Sequence, residues 1–224
     1  MIYISLILPV LIGFSLVQFI KPNSKHLQLL LSFSGAYLLS VTVLHLLPEV
    51  FSNGEEFMGI FILLGIVIQT GLEYLSKGAE HGHVHGHDFE SSIPWILVIS
   101  LSIHAFLEGM PLGIDENLNL LFAIMIHKLP VAIILAFFLK KSSLSGPQVF
   151  LVLFLFAIMS PLGSWISNSF PYVHQFSDQI NAIIIGVFLH ISTAILFESS
   201  ENHKFNLKKF IVIIIGFFVA FLGV

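Results

Sequence analysis

Three side chains with metal-binding chemistry lie in two strongly apolar stretches of the chain. His104 and Glu108 are four residues apart, which places an imidazole and a carboxylate on one face of a helix. His127 lies in the next apolar stretch, followed directly by Lys128. Imidazole nitrogen and carboxylate oxygen suit zinc and similar divalent ions such as iron(II), cobalt(II) or manganese(II). The three residues therefore predict a metal site that leaves positions open for water or a further ligand.

The composition indicates that a lipid bilayer surrounds these residues. Of the 224 residues, 56% are hydrophobic and 10% are charged, whereas soluble domains carry about 25% charged residues. A charge in hydrocarbon costs at least ~2.5–3.5 kcal/mol, so Glu108 and Lys128 need a functional reason to be there. Because the chain contains no cysteine, a metal must be held by nitrogen and oxygen. The net charge of −4 argues against nucleic acid as a partner.

The apolar stretches predict an all-α, polytopic membrane protein that forms a single domain over residues 1–224. A spanning helix needs ~20 mostly apolar residues, and eight stretches meet or nearly meet that length. They are residues 2–20, 28–51, 57–76, 93–114, 118–139, 148–168, 178–197 and 207–224. The first lacks the basic segment and small-residue cleavage site of a signal peptide, so we expect it to be retained as a span.

The distribution of lysine predicts the orientation of the eight spans. The first, third, fifth and seventh joints contain or adjoin Lys21, Lys25, Lys77, Lys140, Lys141, Lys204, Lys208 and Lys209. The even-numbered joints carry acidic residues instead. By the positive-inside rule the odd-numbered joints are cytoplasmic, and both termini are extracytoplasmic.

This orientation places the two histidines at a similar depth. His104 lies about eleven residues, or ~16 Å, from the cytoplasmic start of its span, and His127 lies ~14 Å from the outer face of a ~30 Å core. Pro111 and Pro130 follow them and each removes a backbone hydrogen bond. We expect free carbonyls at Leu107 and Ile126, as in the broken helices of transporters.

Other polar residues within the spans allow two interpretations each. His45 and Glu49 repeat the four-residue spacing near the outer end of the second span, which predicts an entrance site or an interfacial cap. His190 in the seventh span is compatible with an accessory transport role or with a buried structural histidine. Gln69 and Glu73 share a face of the third span, and we expect Glu73 to be solvated near the cytoplasm.

Lys128 requires an explanation of its own. An ammonium group beside a metal site would repel the ion, yet it could neutralise Glu108 or stand in for a second ion. We therefore predict that Lys128 converts a two-metal site into a one-metal site. Ser160 in the sixth span is not expected to ligate metal.

The largest joint, residues 77–92, alternates histidine with small or polar residues. Its histidines are His81, His83, His85 and His87. This composition is typical of a flexible cytoplasmic tract that contacts metal weakly, and a passive linker is the alternative.

Taken together, these motifs resemble the ZIP (Zrt-/Irt-like) family of divalent metal transporters. The matching segments are His104-Ala-Phe-Leu-Glu108-Gly109, His127-Lys128-Leu-Pro130, His45-Leu-Leu-Pro48-Glu49, Pro161-Leu-Gly163 and the histidine-rich joint. The resemblance implies eight spans with both ends outside, and a primary metal site on His104, Glu108 and His127. It also implies that the bundle with the fourth and fifth spans shifts against the others. Lys128 replaces an acidic residue of the commoner pattern, as in a His-Lys branch of the family, which implies one ion per site.

We expect a transporter that moves zinc, or a similar divalent ion, into the cytoplasm across the plasma membrane. Its expected partners are divalent metal ions and the lipid bilayer, with a homodimer left open, and it requires no cofactor beyond the transported ion. The alternatives are a metal exporter with the same ligands, and an intramembrane zinc hydrolase using a metal-bound water. The hydrolase is disfavoured because the sequence lacks a His-Glu-x-x-His motif.

Overall fold

The computed structural model describes residues 1–19, 24–52, 57–76, 78, 94–197 and 206–223, and the secondary structure within these ranges is helical. The helices are α1 (Ile2–Phe19), α2 (Ser24–Val41), α3 (Leu47–Phe51), α4 (Met58–Ser76), α5 (Trp95–Gly109), α6 (Pro111–Ile114), α7 (Leu118–Lys141), α8 (Gly146–Ala157), α9 (Met159–Ser169), α10 (Pro171–Gln175), α11 (Ser177–Phe197) and α12 (Leu207–Leu222). A π-helical segment, Thr42–Leu46, joins α2 to α3.

The predicted all-α, polytopic membrane fold is confirmed. Within the described residues, seven helical stretches are long and apolar enough to cross a bilayer. The last helix, α12, has 16 residues and is shorter than those seven. The count of eight spans and the outside position of both termini therefore stay predictions.

Proline and capping residues set the ends of several helices. Pro161 cannot donate to the carbonyl of Ala157, and α8 ends at that residue before the chain continues as α9. Asn117 begins α7 by accepting a hydrogen bond from the Leu120 amide at 3.1 Å. Pro130 lies inside α7, which continues through it. The sixth span is thus broken, whereas the fifth is not.

The break at Pro111 differs from the expectation in one detail. Helix α5 ends at Gly109 and α6 starts at Pro111, so the fourth span is interrupted as proline dictates. The carbonyl of Leu107, expected to be free, accepts a hydrogen bond from the Met110 amide at 3.1 Å. That prediction was wrong because the last turn of α5 tightens to an i→i+3 bond.

The helices pack as two bundles. Helices α1, α5, α6, α7, α8 and α9 form the first, which we call the site bundle. Helices α2, α4, α11 and α12 form the second, which we call the support bundle. The two meet chiefly where α2 packs on α7 and where α4 packs on α5.

Glycines permit the closest helix contacts within each bundle. A Cβ atom added at Gly65 would lie 1.9 Å from the Ile183 carbonyl oxygen, so α4 and α11 touch backbone to backbone there. A Cβ atom at Gly109 would lie 2.0 Å from the Ser160 carbonyl oxygen, at the contact of α5 with α9. Small residues at such crossings are typical of helices packed in membranes.

We expect Gly65→Ala to lower the free energy of unfolding by about 1–3 kcal/mol, because the added methyl group forces α4 and α11 apart. The measurement is the thermal unfolding midpoint of the purified protein in detergent. Gly71→Ala is the matched control, since Gly71 lies on the same helix and an added Cβ atom meets nothing within 4 Å. Equal midpoints for the two variants would contradict the packing explanation.

Candidate metal site

The structure brings His104, Glu108 and His127 together. The Nε2 atom of His104 lies 2.8 Å from Oε1 of Glu108, and Nε2 of His127 lies 3.7 Å from the same oxygen. One ligand atom from each residue lies within 4.8 Å of the other two. The side chains are 2%, 2% and 0% exposed, respectively.

These spacings suit a single small cation. Two ligands at about 2.1 Å from a tetrahedral zinc ion are about 3.4 Å apart, and the two nitrogen–oxygen distances here, 2.8 and 3.7 Å, lie on either side of that value. Helix α5 supplies His104 and Glu108 one turn apart, and α7 supplies His127. All three donors therefore belong to the site bundle.

Gln69 is a member of this site that the sequence did not reveal. Its Oε1 lies 3.2 Å from Nδ1 of His104, on the opposite side of the ring from Glu108, and its side chain is fully buried. Gln69 lies on α4, so this contact crosses between the bundles. The sequence shows that a polar amide lies in an apolar helix, which indicates a buried partner. It does not identify that partner, because His104 is 35 residues away.

Lys128 ties three helices of the site bundle together. Its ammonium group donates a hydrogen bond to the hydroxyl of Ser160 on α9, and that hydroxyl donates to the carbonyl of Ala105 on α5 at 2.6 Å. The ammonium also lies 5.3 Å from the ring centroid of Phe156. The Lys128 ammonium group also interacts electrostatically with the Glu108 carboxylate. Its hydrogen-bond partner is the hydroxyl of Ser160.

His190 lies in the support bundle and pairs with Glu73. Its Nε2 atom is 2.5 Å from Oε2 of Glu73, and the two side chains are 21% and 19% exposed. Glu73 was expected to be solvated or to snorkel near the cytoplasm; it is partly exposed, and α11 in addition places an imidazole beside it. This pair lies outside the cluster formed by His104, Glu108 and His127.

His45 and Glu49 lie where the second span changes its helical geometry. His45 belongs to the π-helical segment, and Glu49 follows in α3, just after Pro48. Glu49 lines a small crevice with Pro111 and other residues, and the crevice has room for about one water molecule. The Nε2 atom of His45 is buried without a hydrogen-bond partner among the described residues. Single π-helical turns are rare and occur frequently at functional sites.

The remaining candidates, His81, His83, His85 and His87, lie outside the described residues. Weak metal contact by this tract therefore stays a prediction.

Comparison with known proteins identifies the family. The model of the ZIP Zinc transporter family matches residues 73–222, which include His104, Glu108, His127 and Lys128. The chain belongs to the ZIP family. The resemblance seen in the motifs is thereby confirmed, while membership of a His-Lys branch stays a prediction.

Several ZIP relatives are similar to this chain at low identity. Protein zntD of Dictyostelium discoideum is 29% identical over an alignment of 163 positions that covers 63% of this chain and 24% of zntD. Zinc transporter ZIP1 of Plasmodium falciparum is 24% identical over an alignment of 271 positions, gaps included, that covers 84% of this chain and 75% of the relative. Human Zinc transporter ZIP1 is 25% identical over 250 residues, covering 87% and 77%. The chain therefore spans about a quarter of zntD and about three quarters of these two ZIP1 proteins.

We expect Lys128→Glu to raise the zinc stoichiometry of the purified protein from one ion to two per chain. The change removes a buried ammonium and adds an oxygen donor beside the cluster. The measurement is calorimetric titration in detergent, with bound zinc quantified by mass spectrometry. Lys141→Glu, at the exposed end of the same helix, is the control. Unchanged stoichiometry and affinity in Lys128→Glu would contradict this role of the lysine.

Proposed function

We propose that this ZIP protein carries zinc, or a similar divalent ion, across the membrane through a site formed by His104, Glu108 and His127. The observation that carries the proposal is the meeting of these three donors in a buried position of the bundle. Three protein ligands leave at least one coordination position for water, as zinc sites with exchangeable ligands do. A site with moderate affinity also allows the ion to leave, which transport requires.

The ion would reach this site from the outer side, past Glu49. Glu49 lines the crevice beside Pro111, and Asp115 and Asp178 are close enough to act on its carboxylate electrostatically. A cluster of like charge raises the local concentration of the opposite ion and speeds its association. His45, with its buried nitrogen, offers a further donor as the ion loses water. We assign His45 and Glu49 to the entrance on these grounds.

The two-bundle packing supports a rigid shift as the means of alternating access. The three donors lie on α5 and α7 of the site bundle, and the Lys128–Ser160–Ala105 contacts hold α5, α7 and α9 together. The support bundle has its own close contact at Gly65 and its own polar pair, Glu73 with His190. Motion between two internally rigid units changes few contacts, so two arrangements of similar free energy are feasible.

The proposed direction of transport and the proposed location in the plasma membrane are both inferred from the sequence. Lysine-rich joints and acidic joints alternate along the chain, which predicts cytoplasmic odd-numbered joints. We propose movement toward the cytoplasm across the plasma membrane. An exporter would use the same donors, so flux must be measured in both orientations. A transporter family fits a protein that is not an enzyme.

The test is uptake of radioactive zinc into proteoliposomes with defined orientation. We expect saturable uptake by the unaltered chain, and at least a tenfold loss (about 1.4 kcal/mol) in His104→Ala and Glu108→Ala, because each removes a direct ligand. His174→Ala is the control, since His174 lies on α10 and is exposed. Absence of saturable uptake by folded protein would contradict the proposal. Faster flux in the reversed orientation would identify an exporter.

A further inference from the structure

The contact between Gln69 and His104 joins an ion ligand to the bundle that does not carry the ion. We propose that Gln69 is a positioning residue. Through it, the affinity of the His104 site for the ion depends on the position of the site bundle relative to α4. This inference rests on the proposed transport function. It adds a way in which movement of the site bundle lowers the affinity for the ion. It is carried by the 3.2 Å contact between Oε1 of Gln69 and Nδ1 of His104.

The first step concerns the tautomer of His104. Its Nε2 atom faces Glu108 at 2.8 Å and His127 beyond, so Nε2 is the atom directed at the ion position. To ligate a cation, Nε2 must offer its lone pair, and a neutral imidazole then carries its proton on Nδ1. The Gln69 carboxamide oxygen is placed to accept that proton in a hydrogen bond. Partners of this kind fix ring orientation and raise ligand basicity.

The second step concerns the position of Gln69. It lies on α4 of the support bundle, whereas His104 lies on α5 of the site bundle. A displacement of one helical turn, about 5.4 Å, would separate the two groups completely. The hydrogen bond therefore exists only in the arrangement in which α4 and α5 have the register seen here. Loss of such an outer partner typically lowers metal affinity by about 10- to 100-fold.

The third step follows from thermodynamic linkage. If the contact with Gln69 strengthens ion binding, the bound ion strengthens the contact by the same factor. The loaded protein is then held in this register more firmly than the empty one. Departure of the site bundle from α4 removes the acceptor from His104 and favours release of the ion.

A second hydrogen bond between α4 and α5 makes it possible to distinguish this effect from a general weakening of the contact between the two helices. The hydroxyl of Ser100 donates to the carbonyl of Leu72 at 2.7 Å, and Ser100 is fully buried. Ser100 lies one turn from His104 on the same helix but does not belong to the ligand cluster. Its removal weakens the same helix contact without touching the imidazole.

The experiment measures cobalt(II) binding to the purified full chain in detergent, from the visible absorption of the bound ion and its displacement by zinc. We expect Gln69→Met, which keeps the volume but loses the acceptor, to weaken binding about 10- to 100-fold. Gln69→Glu keeps an acceptor and should bind within about threefold of the unaltered chain, or more tightly. Ser100→Ala is the matched control and should lower affinity clearly less than Gln69→Met, because it weakens the same helix contact but leaves the acceptor of His104 in place. Gln69→Asn, with its oxygen withdrawn by one methylene, should also weaken binding and serves if the methionine variant does not fold.

The outcomes distinguish this inference from the proposed function. Equal affinity of the unaltered chain, Gln69→Met and Gln69→Asn would overturn the inference, as would an equal loss in Ser100→Ala. In proteoliposomes, Gln69→Met should raise the KM for zinc while maximal flux is retained. The substitution lowers the affinity for the ion in the arrangement of α4 and α5 seen here, but it does not slow release of the ion. An unaltered chain that binds cobalt with the expected variant pattern but shows no saturable flux would contradict the transport proposal and leave the role of Gln69 in binding intact.

Discussion

A carboxylate buried among apolar helices must be met by donors or by a cation, since its transfer from water is otherwise very costly. Glu108 is 2% exposed, and the nitrogens of His104 and His127 face one of its oxygens. Side chains of α5 and α7 meet at this point. Lys128 adds a positive charge in the same region and is held in place by Ser160. The polar centre thus determines which faces of these helices turn inward.

The contacts around this centre are of two kinds. Close backbone contacts lie within each bundle, and side-chain hydrogen bonds lie between the bundles. Backbone contacts at Gly65 and Gly109 lie within one bundle each and leave no room for an added carbon atom. The hydrogen bonds of Gln69 with His104 and of Ser100 with Leu72 lie between the bundles. Single hydrogen bonds contribute about 0.5–1.5 kcal/mol each, so they can be replaced at small cost when the bundles move. The shift proposed for the site bundle would therefore break hydrogen bonds between the bundles and keep the backbone contacts within them.

Much of this fold and site is local in the sequence and was predictable for that reason. Hydropathy and length gave the membrane helices, and the spacing of His104 and Glu108 placed both on one helical face. The breaks at Pro111 and Pro161 follow from the missing amide. The pairings of Gln69 with His104 and of His190 with Glu73 were not predictable, because they join residues 35 and 117 positions apart. Such contacts depend on how neighbouring helices are rotated, which periodicity alone does not determine.

The buried ammonium of Lys128 has an electrical consequence for the site bundle. The formal charges of Glu108 and Lys128 cancel, so the empty bundle has no net charge from this pair, whereas a bound divalent ion would add two positive charges. Moving one charge through the membrane potential is worth about 2.3 kcal/mol per 100 mV, so a loaded step would gain up to about 4.6 kcal/mol. The return of the empty bundle would gain nothing. If the site bundle moves as proposed, a fixed lysine in this place would make the charge carried by this site depend on the bound ion, so the membrane potential would act on the loaded site and not on the empty one.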